Sequence, residues 1–308
     1  MITTNKLLTL TLIFIFVFVI SITLATGEIS AKNNKNLKIG VMPAVDSAPI
    51  FLAEQKGYFE AAGLNLKVQI YTNATNRQSA LQSGQLDGAM TDLIAFINNI
   101  ENGFPVKITT STDGSFPFLV KNNLTKKEEI KIGMMEVSVT NFLTDRFLGE
   151  KYNLKKVFIN EIPARIEMVK AGQLDMAIIP EPLASTGELS GLEKRVYENK
   201  DDFMPEAMIF TEHALNNKYE EIKIFHEVYN KAVEEINENK IIASKSLIQK
   251  LDLPVKLEKM ISLPEYNKTR VPDKKYMDKV INWMEEIDNI NITTDYEKMI
   301  SREFIYND

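Results

Sequence analysis

The tetrapeptide Gly-Gln-Leu-Asp occurs twice in this chain, at residues 84–87 and again 88 positions later (172 minus 84) at residues 172–175. Each copy follows a stretch with helical periodicity and precedes a short apolar run. A second echo lies upstream of each: "LKIGVM" at 37–42 and "IKIGMM" at 130–135, with glycines 93 apart (133 minus 40). The two marks keep their order, with gaps of 44 residues (84 minus 40) and 39 residues (172 minus 133). A chain that repeats two marks in the same order and context is expected to fold as two similar α/β lobes. Within each copy, Gly tolerates a left-handed turn, Leu plugs the core and Asp enters the next strand. That gives GQLD a structural part, with no ligand contact expected.

The periodicities agree. In the first copy they predict strands over 37–42, 65–72, 86–91 and 106–112. The helices between them cover 50–63, then 75–84 capped by Thr75 or Asn76, then 92–103 capped by Asp92. The pattern restarts with strands over 129–135, 155–162 and 174–180. One intervening helix is capped by Ser138 or Thr140, and the other has Pro163 in its first turn. Strands alternating with helices are the signature of a mainly parallel sheet. After residue 210 the chain reads as helical and highly charged to its end, with Trp283 on an apolar stripe and His213 and His226 in surface or capping positions.

Composition removes several classes of function. A net charge of −6 offers no basic stripe for nucleic acid. The absence of cysteine excludes disulfides, thiol catalysis, thiolate metal sites and a lipid-bearing cysteine. No metal and no cofactor are expected, and the familiar hydrolase, zincin and phosphate-loop motifs do not occur. The unbroken apolar run 7–25 behind Lys6 reads as an export signal, cleaved after Ala25 or Ala31, or else as an uncleaved N-terminal anchor. Residues 1–31 are therefore set apart, and the remainder is expected in the periplasm or another extracytoplasmic space. Four glycosylation-type sequons, at Asn73, Asn123, Asn267 and Asn291, are expected by chance in so Asn-rich a chain.

At this point the residues resemble a known family. Ala53, Gly57, Tyr58, Phe59, Gly63 and Leu64, followed by Ala80, Leu81, Ser83, Gly84 and Asp87, match its first-lobe pattern. The family is the extracytoplasmic solute-binding proteins of ABC importers, in the branch serving nitrate, sulfonates, taurine and thiamine-pyrimidine precursors. The resemblance covers roughly residues 37–245. It implies the type II periplasmic-binding fold: two lobes joined by crossovers near 116–122 and 207–213, a ligand cleft between them, and a helical C-terminal region. Lobe 1 would take 37–118, lobe 2 119–207, and the return with its C-terminal helices 208–308. The implied function is capture of a small solute by hinge closure and delivery to an ABC permease, by a monomer that is no enzyme. Two alternatives stand beside it. One is an enzyme of thiamine-pyrimidine metabolism, although catalysis there involves a histidine and none precedes His213. The other is a ligand-sensing domain.

Open α/β sheets bind ligands beyond the carboxyl ends of their strands. Here that selects Ala44, Asp46, Ser47, Thr91, Asp92, Asp113, Gly114, Ser138, Thr140, Glu181 and Pro182 as candidate contacts. Helix N-termini at these places favour an anion. Asp46, Asp92, Asp113 and Glu181, with no arginine or lysine evident among them, favour instead a neutral or amine-bearing solute. Asp46 and Asp92 read equally well as helix caps and Asp113 as a turn residue. Glu181 is held between Pro180 and Pro182. Phe116, Phe118 and Phe142 could stack on a flat ring or belong to the core.

Overall fold

Two five-stranded sheets carry the two copies of the repeat. The computed structural model describes residues 35–121, 129–288 and 290–306, and the body considered below runs from Asn36 onward. The apolar segment 7–25 and Asn123 lie outside the described residues. No helix among the described residues is long and apolar enough to cross a membrane.

The first lobe begins with β1 (Lys35–Val41), a 3-10 turn (Val45–Ser47), α1 (Ala48–Gln55), α2 (Tyr58–Ala61) and β2 (Leu64–Ile70). It continues with α3 (Ala74–Gln82), β3 (Gly88–Asp92), α4 (Leu93–Glu101) and β4 (Val106–Ser111). The second lobe holds β5 (Phe118–Val120), β6 (Glu129–Met134), α5 (Val139–Leu148), β7 (Asn153–Phe158) and α6 (Ile162–Lys170). It closes with β8 (Met176–Ile178), α7 (Leu183–Leu189) and β9 (Glu193–Arg195), and the chain returns through β10 (Glu206–Thr211). The remainder is α8 (Glu212–Asn217), α9 (Tyr219–Glu238), α10 (Ile241–Leu251), a 3-10 turn (Val255–Lys259), α11 (Lys274–Asp288) and α12 (Tyr296–Met299).

The sheet orders, β2-β1-β3-β10-β4 and β7-β6-β8-β5-β9, follow one plan. In each, the strand that crosses from the other lobe occupies the fourth place and runs antiparallel to both neighbours, as β10 does in the first sheet and β5 in the second. The registers match as well: Ile39 pairs with Gly88 and Ile132 with Met176.

GQLD fixes that register. Gly84 and Gly172 adopt φ of 74° and 73°, the left-handed conformation that ends each helix. Asp87 then closes on Lys38 twice: its N–H donates to the Lys38 carbonyl at 2.8 Å, and its carboxylate accepts the Lys38 N–H at 2.8 Å. Asp175 repeats both bonds with Lys131, at 2.8 and 3.0 Å. Between Gly and Asp, Leu86 and Leu174 are buried over the bare strand glycines Gly40 and Gly133. A Cβ at either glycine would lie 2.6 Å from the leucine Cδ1.

Three expectations need correction. The cap of α3 is Asn73, whose Oδ1 accepts from the Thr75 and Asn76 N–H groups, so the helix starts one residue earlier than Thr75. His226 is a core residue, hydrogen-bonded to the Ile222 carbonyl and Thr109 Oγ1 and stacked on Phe304, because α9 turns that position inward. The C-terminal region is not helical throughout: residues 260–273, interrupted by Pro264 and Pro272, run irregularly against the first lobe. There Ser111 N–H donates to the Arg270 carbonyl and Tyr266 Oη to the Val45 carbonyl. Trp283 does lie on the apolar face of α11, edge-on to Phe142 and donating to Asp145 Oδ2 at 2.9 Å. Met277, Val280 and Met284 of α11 share one core cluster with Ile97 of lobe 1 and Leu143 of lobe 2.

Leu86→Ala and Leu174→Ala should each destabilise the protein by about 2–5 kcal/mol in urea unfolding, because each removes a plug that its glycine floor cannot replace. A loss below about 1 kcal/mol at either position would contradict the equivalence of the two copies.

Candidate functional site

A cavity of about 70 Å³ lies between the carboxyl ends of the two sheets. The first lobe supplies Ala44, Asp46, Arg77, Thr91, Asp92 and Glu206. The second supplies Ser138, Thr140, Ile162, Arg165 and Pro180.

The two arginines are products of the repeat. Helix α3 buries Arg77, Ala80 and Leu81, and α6 buries Ile162, Arg165, Ile166 and Val169. In each helix an arginine thus occupies the core-facing stripe, seven residues before the glycine of GQLD (84 minus 77, 172 minus 165). Each stem passes near the bare strand glycine: Arg77 Cγ would lie 3.1 Å from a Cβ on Gly40, and Arg165 Cγ 3.6 Å from one on Gly133. Arg77 Nη2 donates to Thr91 Oγ1 at 2.9 Å at the end of β3, and Arg165 Nη1 to the Ile178 carbonyl at 3.0 Å at the end of β8. Arg165 is 1% exposed, and among the described residues no carboxylate lies within ion-pair distance of it.

Burial dominates the electrostatics. It pulls Arg165 down to about 10, with only Glu161 opposing, and lowers Arg77 against the pull of Asp92, Asp46 and Glu206. It pushes the Asp46 carboxyl up to about 6, against Arg77 and the Thr112 hydroxyl. Glu206 rises well above the usual carboxylate range, through burial first and then the charges of Asp46 and Asp92. Asp92 rises through burial too, countered by the Ala95 N–H, by Arg77 and by the Val139 N–H across the cleft. Asp46 Oδ1, Glu206 Oε2 and the Nε atoms of both arginines have no protein partner.

Six of the candidate residues meet at this cavity: Ala44, Asp46, Thr91, Asp92, Ser138 and Thr140. Asp92 is also the cap of α4, accepting the Ala95 N–H at 2.8 Å, and Ser138 caps α5. Asp46 is no cap; it lies inside the 3-10 turn, and α1 begins after Ser47 without a side-chain cap. The Ser47 hydroxyl turns back to the Met42 carbonyl at 3.0 Å. Asp113 and Gly114 border a separate hollow. The Asp113 carboxylate there accepts from Asn267 N–H and Nδ2 and from Arg270. Gly114 leaves room for Glu206, whose Oε2 would lie 1.8 Å from a Cβ at that position. Glu181 is fully buried and its carboxylate is committed to Lys194 at 2.9 Å, Ser185 and the Ser262 N–H. Pro182, after a cis peptide, starts α7. Phe118 and Phe142 are core, and Phe116 alone of the three reaches the cavity.

The acids are therefore not without cations, as their sequence neighbourhood suggested. Arg77, Arg165, Arg270 and Lys194 reach them or their cavity from other elements. Glu206 and both arginines were missed because no motif surrounds them. The signal available was a charged residue on an apolar helical stripe at the same distance from GQLD in both copies.

At the cleft rim the two repeats touch directly. Asn73 Nδ2 donates to Glu161 Oε1 at 2.6 Å, and these residues are the N-caps of α3 and α6. Deeper in, the Val45 N–H donates to the Glu181 carbonyl at 2.9 Å.

Residues 30–186 match the model of the NMT1-like family. Residues of the chain are 26% identical over 97 positions to the nitrate import ATP-binding protein NrtC of Synechococcus elongatus, covering 32% of this chain and only 13% of that protein. In structure, the chain is similar to the ligand-binding component of an ABC-type import system from Staphylococcus aureus with zinc bound. The TM-score is 0.76 at 14% identity, over 88% of this chain and 97% of that one. The alkanesulfonate-binding protein SsuA from Xanthomonas axonopodis pv. citri, bound to MOPS, gives 0.70 at 15% identity, over 87% and 98%. At such identities these likenesses establish the fold.

Asp46 makes the site's charge testable through pH. Its folded value of about 6 exceeds the ordinary 3.8, so the native state binds the proton more tightly than the unfolded chain. The penalty is absent below pH 3.8, grows towards pH 6, and is full above it, at about 2–3 kcal/mol. Asp46→Asn should accordingly melt higher than wild type at pH 7.5 and at the same temperature at pH 4. Equal melting at both pH values would contradict the assignment.

Proposed function

This chain belongs to the NMT1-like family, and on that premise we propose that it is the extracytoplasmic solute-binding component of an ABC importer. The reading rests above all on one observation: a cavity at the carboxyl ends of two repeat-related sheets, lined by polar side chains from both lobes. A solute held there contacts both lobes at once, so its binding energy favours the closed arrangement over the open one. The closed protein would present a surface to a membrane permease that the open one does not. In this reading the segment 7–25 directs export, and the protein acts as a monomer.

The polar groups of the lining are carboxylates, hydroxyls and guanidinium groups, which suit hydrogen bonding and charge pairing with a small solute. Core packing accounts for His226, and His213 lies exposed on α8.

Thermal melting with a panel of small anions, amines, amino acids and pyrimidines tests the proposal. A solute at a hundred times its Kd stabilises the native state by about 2.7 kcal/mol, which should raise Tm by roughly 5–10 °C. A folded protein whose Tm no member of the panel moves would overturn the reading.

A further inference from the structure

The cavity's charges are sorted by lobe. Its three carboxylates, Asp46, Asp92 and Glu206, all come from the first lobe, together with Arg77, whose field falls on all three. The second lobe contributes one charged group to the lining, Arg165, with a single protein acceptor and, among the described residues, no carboxylate within ion-pair distance. Asp92 is engaged by its own helix, which leaves Asp46 and Glu206 as the acids with an unpartnered oxygen. A lone anion would satisfy Arg165 and be repelled by the opposite wall. A lone cation would meet the reverse.

Deepening the solute-binding reading, on which it rests, we propose that the solute is a small zwitterion. Its anionic group lies on Arg165 of the second lobe, and its ammonium group on Asp46 and Glu206 of the first. Each end then supplies what the facing wall lacks, and closing the lobes pairs both ends at once. A cavity of about 70 Å³ favours a small solute.

Calorimetric titration of the full chain with a matched set tests this: β-alanine, propionate and propylamine, with aminomethanesulfonate to separate carboxylate from sulfonate. The zwitterions should bind at least about a hundredfold more tightly than either single-ended compound. Arg165→Met should abolish that preference, Arg165→Lys should keep part of it, and Glu206→Gln should weaken the zwitterion about tenfold, with circular dichroism confirming that each variant folds. Propionate or propylamine binding as tightly as β-alanine, or zwitterion binding unchanged in Arg165→Met, overturns the zwitterion while leaving a solute-binding protein. Silence of the folded wild type towards every compound also overturns the zwitterion, and the wider melting panel then decides the solute-binding reading.

Discussion

A guanidinium taken out of water costs several kcal/mol unless acceptors surround it, and this molecule buries two at equivalent places. Much of the surrounding structure can be understood as what makes that possible. Each arginine stem needs a strand glycine beside it, since a side chain at Gly40 or Gly133 would occupy the space used by Arg77 or Arg165 and by the leucine plug. Each head reaches the end of the third strand, where Thr91 or the Ile178 carbonyl accepts from it. The aspartate clasps onto Lys38 and Lys131 hold those strands in register from their opposite ends. The GQLD copies lie outside the cavity lining, yet they help set the position of the groups that line it.

The two walls then differ in how their charges are settled. Glu181, Asp113 and Asp92 are closed off by Lys194, by Asn267 with Arg270, and by the α4 N-terminus. Asp46, Glu206 and Arg165 line the cavity, and each keeps a buried atom without a protein partner. Acids alike in sequence therefore divide into those tied within the protein and those with an unmatched oxygen. The division follows from which distant element arrives beside each one. The irregular stretch 260–273, which brings Ser262, Asn267 and Arg270, does much of that sorting.

The lobes and their strand order were legible because a repeat and two periodicities state them locally. Asp92 and Ser138 as caps were legible for the same reason: a cap acts within three residues of itself. The cations were not, because Arg77 and Arg165 lie on helices one element away from the strand ends they serve. Setting the two copies in register would have shown both on an otherwise apolar stripe. Glu206 stands opposite Asp92 only through the pairing of β10 with β3, which no local pattern encodes. His226 looked like a surface residue in a charged stretch, and only the placement of α9 against Thr109 and Phe304 makes it core.

The rim contact carries an implication for how such a molecule can diverge. When two copies of one unit face each other about an approximate twofold, residues at equivalent positions near the axis meet their own counterparts. Two glutamates there would repel, whereas an amide opposite a carboxylate gives a donor its acceptor. Asn73 facing Glu161 is such a pair: one partner donates, the other accepts, and both head equivalent helices. The difference between the copies thus supplies a hydrogen bond across the rim that a pair of glutamates could not make.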